Sequence, residues 1–395
     1  LRSDPGNIGA ALATLTAAAQ RRQRRVIERY PSPGDGTRVF VEGRALRVFC
    51  SNDYLGLAQH PEVIAALQAV SAQFGAGSGA AHLVTGHSTP HHQLEAELAA
   101  FTGRERALLF STGYMANLGV LSAFAGRGEA ILQDRLNHAS LIDGARLSGA
   151  RLLRYRHADA AHAALVLADR ADCAVIATDG LFSMDGDVAP LRELAELATR
   201  QRAWLMVDDA HGLGVLGATG RGSLEMAGLD ARAAPLLVGT LGKAFGGFGA
   251  FVAGDEEVIE LLLQRARTYT YTTALPPGVA AAASAALRVA QRESGRREQL
   301  QARIAQFRAG AAALKLPLTG STSPIQPLIA GDSARALRLS RALYERGFWV
   351  AAIRPPTVAA GSARLRLTLS AAHSAADVDE VLAALARAWH EEPPP

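Results

Sequence analysis

At 395 residues, with 49% of positions hydrophobic and 20% charged, the chain has enough apolar content for a large domain and a smaller one. No uninterrupted apolar run approaches the roughly 20 residues of a membrane helix, and Cys50 and Cys173, the two cysteines, are too few for a disulfide framework or a cysteine-built metal site. The formal charge of +4 is small for this length, and no aromatic-interleaved basic surface or nucleic-acid module accompanies it. No membrane and no nucleic-acid partner are expected. The start at Leu1 through Asp4, Pro5 and Gly6 lacks the basic and then apolar opening of a secretory signal, so a cytoplasmic location is the expectation.

In chain order, Ala10 to Glu28 is alanine- and arginine-rich and reads as a helix, ended by the Pro31 to Gly36 cluster. Arg21, Arg22, Arg24, Arg25 and Arg29 crowd this segment, either as a solvated face or for an anionic substrate. Thr37 to Phe49 alternates as a hairpin with its turn near Glu42-Gly43. From about residue 60 the pattern repeats helix, turn and strand. Thr89-Pro90 opens a helix through Ala100, and Ala107 to Phe110 is a short buried strand. Further strands are expected at Ala130 to Gln133, Ala174 to Thr178, Trp204 to Asp208, Leu236 to Gly239 and Gly249 to Val252, with a helix at Pro190 to Arg202. This alternation predicts an α/β fold, a mostly parallel sheet with helices on both faces. A long helix from the Ala280s to Arg297 follows. The remainder reads as a smaller α+β domain, with strands at Ile325 to Ile329, Phe348 to Ala352 and Leu365 to Leu369 and helices at Ser333 to Arg346 and Ala376 to Trp389. The expected division is an arm and hairpin over 1–49, a large domain over 50–280 and a small C-terminal domain over 281–395, with a frayed tail after Glu391.

Chemistry gathers at the strand ends. One apolar strand ends in Asp208, with His211 three residues on, and another ends in Thr240-Leu241-Gly242-Lys243, ringed by small residues. Pyridoxal phosphate needs a lysine amine to bond its aldehyde and an acid against its pyridine nitrogen. Lys243 and Asp208 suit those roles. Ser111-Thr112-Gly113-Tyr114 opens a helix whose free backbone amides suit a phosphate, with Gly113 and Tyr114 as the contacts. Asn137-His138-Ala139-Ser140 follows another strand, where His138 could stack on the pyridine face. Ser183, in the loop Asp179 to Asp187, is a candidate hydrogen-bond partner for cofactor or substrate. His211 could hold the ring oxygen and Thr240 the phosphate. Gly75-Ala76-Gly77-Ser78-Gly79 lacks the preceding strand and glycine spacing of a dinucleotide loop. His82, His87, His91 and His92 lack an HExxH arrangement and read as solvent-facing, so no metal is expected.

Ser51-Asn52-Asp53-Tyr54-Leu55-Gly56-Leu57, Asp134 to Ser140, Phe182 to Asp187, Val207 to Gly212 and Thr240 to Lys243 occur in the order of the α-oxoamine synthases, which the chain resembles over nearly its whole length. That family belongs to the fold type I, aspartate aminotransferase-like, pyridoxal-phosphate enzymes. The resemblance implies Lys243 as the lysine that bonds the cofactor, Asp208 on the pyridine nitrogen, His138 on the ring face and against substrate, His211 at the ring oxygen, and Ser183, Thr240, Gly113 and Tyr114 as further cofactor contacts. It also implies Arg366 on the amino-acid carboxylate, Thr357 as a substrate contact and Arg24 as the best of several candidates for the N-terminal substrate arginine. Thr272 and Thr273 are expected to reach the phosphate of a neighbouring subunit in a homodimer with shared active sites. Asp179 stands where the family often has glutamate, and Tyr114 where it often has phenylalanine. Ile353 to Val358 followed by Ala363 to Leu369 resembles the biotin-pathway branch. The implied substrates are L-alanine and a pimeloyl thioester, on coenzyme A or a carrier protein. The alternatives are a glycine C-acetyltransferase using glycine and acetyl-CoA, and a non-catalytic regulator that binds the cofactor, for whose DNA-binding domain the arm before Pro31 leaves no room.

Overall fold

A computed structural model describes residues 7–32 and 34–392. The readings that rest on residues 4–6 and on the last three residues of the tail lie outside the described residues. Two compact units emerge. The first takes the described residues up to Asn52, Met184–Gly186 and those from Glu298 on; the second takes Asp53–Ser183 and Asp187–Arg297.

The first strands of the first unit form a hairpin of β1 (Arg38–Val41) and β2 (Arg44–Val48). Its turn is the expected one, because Glu42 and Gly43 both hold positive φ, 53° and 71°, the signature of a tight two-residue connection matched to strand twist. In the second unit, seven strands of the described residues form one sheet: β3 (Arg106–Phe110), β4 (Ala130–Asp134), β5 (Arg151–Tyr155), β6 (Cys173–Asp179), β7 (Trp204–Asp208), β8 (Leu236–Thr240) and β9 (Ala250–Gly254). Their spatial order is β3-β9-β8-β7-β6-β4-β5. β9 runs antiparallel to β3 and β8, and the remaining pairs are parallel. Successive residues of each strand enter opposite cores, as a period of two requires. Ile131, Val175, Met206 and Val238 pack with Val120, Leu121 and Leu141 on one face. Leu132, Ile176, Leu205, Val207 and Leu237 pack with Leu191, Leu194 and Leu197 on the other. The mostly parallel, doubly covered sheet is therefore borne out. β5 escaped the sequence reading because it is an edge strand, and its two arginines are exposed.

Several expectations change. The N-terminal helix spans only Ile8–Ala17, and Arg21 to Tyr30 are exposed. Arginines spaced three and four apart repel one another along a helix. The segment instead pairs with β1, Glu28 and Arg29 exchanging backbone bonds with Phe40 at 2.8 and 2.9 Å, while Arg25 and Arg29 lie over Tyr344 and Phe40. The long helix expected to end at Arg297 is two, Pro277–Arg292 and Gly295–Ala313, parted at Glu293, which accepts from both Arg292 and Arg296. The boundaries near 49 and 280 also differ from the observed units. The arm joins the C-terminal unit because β2 pairs in parallel with β11 (Phe348–Trp349), and Pro277–Arg292 packs on helices Pro61–Phe74 and Thr89–Thr102 of the second unit.

The rest of the first unit holds β10 (Ile325–Gly331), β12 (Ala351–Ile353) and β13 (Ala363–Thr368) in the order β10-β13-β12. The strand expected over Phe348 to Ala352 thus divides at the buried Val350, one half serving each sheet. No helix among the described residues is long and apolar enough to cross a membrane.

Candidate active site

The parallel strands β4, β6, β7 and β8 end on one edge of their sheet, the edge at which open α/β sheets bind ligands. Each leads into a loop with polar side chains: Asn137 and His138 after β4, Ser183 after β6, His211 after β7 and Lys243 after β8.

Asp208, the last residue of β7, is buried. Its Oδ2 accepts from Asn117 Nδ2 at 2.6 Å and its Oδ1 from the Ala210 amide at 3.1 Å. Asn117 comes from helix Gly113–Phe124, one turn past Gly113. Its second amide hydrogen goes to Ser140 Oγ at 2.8 Å. Ser140 Oγ lies 2.7 Å from His138 Nδ1, and the Ser140 amide donates to that nitrogen at 3.3 Å, capping helix Ala139–Ser148. A backbone N–H can only donate, so Nδ1 accepts and this network assigns the ring proton to Nε2. Burial, and then the Lys243 ammonium, hold His138 below its ordinary pKa against the pull of Asp208, although the residue keeps an exposed side. The neutral ring is the form at neutral pH.

Asp179 ends β6 beside Asp208 in register. Burial and the Asp208 charge push its pKa well above the usual carboxylate range, while the Lys243 charge and the His138 amide, donating to Oδ2 at 2.7 Å, act the other way. Lys243 is half-buried in the turn after β8. Its charge thus reaches both His138 and Asp179. Gly246 closes the turn by donating to the Lys243 carbonyl at 2.8 Å, with a φ of 62° and the Ala58 backbone 2.2 Å from where a Cβ would stand. No side chain fits there. Thr240 donates to the Gly249 carbonyl at 3.1 Å and accepts from the Gly242 amide at 3.2 Å, bracing this same turn.

At the start of helix Gly113–Phe124, Thr112 caps the Met115 amide, and the amides of Gly113 and Tyr114 find no acceptor among the described residues. A Cβ on Gly113 would meet nothing within 4 Å. The Tyr114 hydroxyl is turned to Asp143. His211 is buried, with Nδ1 2.7 Å from the hydroxyl of the fully buried Tyr54. The neighbouring Asp209 faces inward instead, taking the Ser223 amide at 2.6 Å, and a Cβ at Gly212 would stand 2.1 Å from its Oδ1. That crowding explains a glycine directly after His211.

The loop carrying Ser183 is closed by the Leu181–Val188 bridge and tied to β4 by His157. Its Nδ1 lies 3.0 Å from Asp134 and its Nε2 2.8 Å from Asp187. Burial works against the charge on this ring, but the two carboxylates outweigh it and push its pKa up to about 10. Thr272 is half-buried and Thr273 exposed, beyond the short helix Arg267–Thr270.

The remaining sequence candidates belong to the first unit. Arg366 is buried on β13 and turns both terminal nitrogens to Asn52 Oδ1 at 3.3 Å. Thr357 is exposed and accepts from Arg22 Nη2 at 3.0 Å. The structure thus brings Arg22 to Thr357, and Arg24 lies exposed. Sequence reasoning missed Asn117, Tyr54, Asn52 and His157. Asn117 was within reach of a helical count, four residues after Gly113 and so on the same face. Only long-range pairing reveals the other three. The four histidines near residue 90 also differ from expectation, since His82 and His91 are buried.

The family model of aminotransferase class I and II matches residues 46–385, and the chain belongs to that family. It is 61% identical to the 8-amino-7-oxononanoate synthase of Methylococcus capsulatus over 97% of this chain and 98% of that one. Among solved structures, a variant of serine palmitoyltransferase from S. paucimobilis with bound PLP superposes with a TM-score of 0.92 at 31% identity, covering 98% of each chain. The 8-amino-7-oxononanoate synthase from Francisella tularensis gives 0.76 at 33% identity over 87% of this chain and 97% of that one. The chain is thus a member of the group of 8-amino-7-oxononanoate synthases, and the resemblance to the α-oxoamine synthases is borne out.

Proposed function

We propose that this protein condenses L-alanine with a pimeloyl thioester, releasing carbon dioxide, the thiol carrier and 8-amino-7-oxononanoate, with pyridoxal phosphate as cofactor. The observation that carries the reading is the strand-end cluster of Asp208, His138 and Lys243 in a chain 61% identical to a synthase of that name. The residues suit the cofactor physically. Two amides without acceptors at a helix start, with open space at Gly113, match an anionic group. A buried carboxylate on the same edge as a lysine matches a pyridine nitrogen and an aldehyde.

When bound, pyridoxal phosphate supplies an electron sink for the charge left on the amino-acid α-carbon. Lys243 holds the cofactor and, as a free amine, takes the α-proton on Nζ. Asp208, kept in place by Asn117, holds the proton on the pyridine nitrogen. His138 would lie against the ring, with its Nε2 hydrogen available to bond the substrate carbonyl oxygen. His211 takes the ring oxygen, Ser183 a further polar contact, and Gly113, Tyr114 and Thr240 the phosphate. Arg366 grips the alanine carboxylate as a fork. Arg22 and Thr357, with Arg24 nearby in sequence, meet the acyl substrate. In a homodimer, Thr272 and Thr273 would complete the phosphate site of the neighbouring subunit.

The test is mass spectrometry of the products formed from L-alanine with pimeloyl-CoA and, in parallel, from glycine with acetyl-CoA. The amino-ketone from the first pair is the expected product. Preference for the second pair would move the protein to glycine C-acetyltransferase, and no turnover with either would favour a regulator.

A further inference from the structure

The second unit holds a polar cluster that the strand-end chemistry does not use. His87 precedes helix Thr89–Thr102, and His92 and Glu95 stand one turn apart on it. The available ligand atoms of these three side chains lie within 4.8 Å of one another, with His87 Nε2 3.9 Å from Glu95 Oε2. They border a cavity of about 360 Å³ that His82, Arg106 and Tyr269 also line.

We propose that His87, His92 and Glu95 bind one divalent cation of the zinc class, with water completing the coordination. Bonds of about 2.1 Å place tetrahedral ligand atoms about 3.4 Å apart, so the set needs to close by roughly 1 Å, and the exposed His92 has room to do so. The surroundings already orient the ligands as outer-shell partners do. His82 Nδ1 lies 3.0 Å from His87 Nδ1, and the tautomer in which His87 Nδ1 donates leaves the Nε2 lone pair for the cation. The Leu109 amide donates to Glu95 Oε1 at 2.9 Å, which leaves Oε2. His82 is itself fixed by stacking on Tyr269, with centroids 5.0 Å apart.

Charge separates this set from a second one. His60, Glu62 and Glu293 are equally close, but Arg292 already pairs with Glu62 and Arg296 with Glu293. Glu95 has no guanidinium within ion-pair distance among the described residues. Arg106, on the same cavity wall, is instead paired with Glu256 and Glu260. A cation would therefore gain an uncompensated carboxylate at the first site and would compete with arginines at the second.

The test titrates tag-free holoenzyme with Zn²⁺ by calorimetry and with Co²⁺ by visible absorption. Saturation at one ion per chain is expected, with cobalt bands of a tetrahedral or five-coordinate nitrogen and oxygen site. His92→Ala, at an exposed position, should abolish the stoichiometric step while leaving cofactor absorbance and thermal midpoint of the metal-free protein unchanged, and Glu95→Gln should do the same to the cobalt spectrum. Glu62→Gln should change neither titration. Absence of a saturable step, or a step that survives His92→Ala, would overturn the proposal, and neither result bears on the condensation reaction.

Discussion

Asn117 donates to Asp208 Oδ2 across 2.6 Å and, with its other amide hydrogen, to Ser140. One buried side chain thereby sets both the carboxylate at the end of β7 and, through Ser140, the tautomer of His138. The two groups belong to different strand-end loops, and the amide on helix Gly113–Phe124 joins them.

Replacing this amide should therefore disturb both. Asn117→Leu keeps the branched shape but leaves a buried carboxylate oxygen without its donor, at a cost of about 1 to 3 kcal/mol. A lower thermal midpoint and a slower exchange of the alanine α-proton are expected. Wild-type values for both would show that Asp208 and His138 are positioned without it.

Lys243 should carry the cofactor. Borohydride reduction followed by peptide mapping is expected to leave the pyridoxyl mass on the peptide containing Lys243, and a label on another peptide would end the assignment. Asp208→Asn should remain folded and loaded yet lose most α-proton exchange, because an amide cannot hold the proton of the pyridinium nitrogen.

Arg366→Ala should raise the alanine concentration needed for half-saturation by about 10- to 150-fold, the loss of a charge-assisted contact of about 1.5 to 3 kcal/mol. Cofactor absorbance should persist. Arg366→Lys should recover only part of the loss, since an ammonium cannot form the parallel fork. An unchanged titration in the alanine variant would place the carboxylate elsewhere.

The contact between Arg22 and Thr357 separates two arginines that the sequence could not. Arg22→Ala and Thr357→Val should both raise KM for the acyl thioester and leave the alanine titration near wild type. Arg24→Ala should have the smaller effect. The reverse ranking would restore Arg24 as the substrate arginine.

His157 should make stability depend on pH in one direction. Its pKa is about 10 in the folded chain, above the ordinary value of about 6.5, so the charged ring favours folding most below 6.5 and that contribution falls as pH rises toward 10. The difference in thermal midpoint between wild type and His157→Gln is therefore expected to be largest near pH 6 and to shrink toward pH 10. A constant difference would mean that the ring acts through packing against Phe182 alone.

Much of the fold was legible because buried parallel strands announce themselves. Runs such as Leu205 to Val207 are apolar on both faces, and a polar residue directly after such a run, as at Asp208 or the loop to Lys243, marks a strand end where ligands bind. Order alone therefore carried the large sheet and the placement of His138, Asp208 and Lys243 at the ends of β4, β7 and β8. Periodicity said nothing of contacts made across the chain. The helix expected through Glu28 dissolved because its arginines found Tyr344 and Phe40, and the arginine at Thr357 proved to be Arg22. His157 looked like one histidine among eleven until folding set it between Asp134 and Asp187. Local sequence fixes the period and the burial of each segment, whereas the partner of a long polar side chain is decided by which distant segments the packed core brings within hydrogen-bond reach.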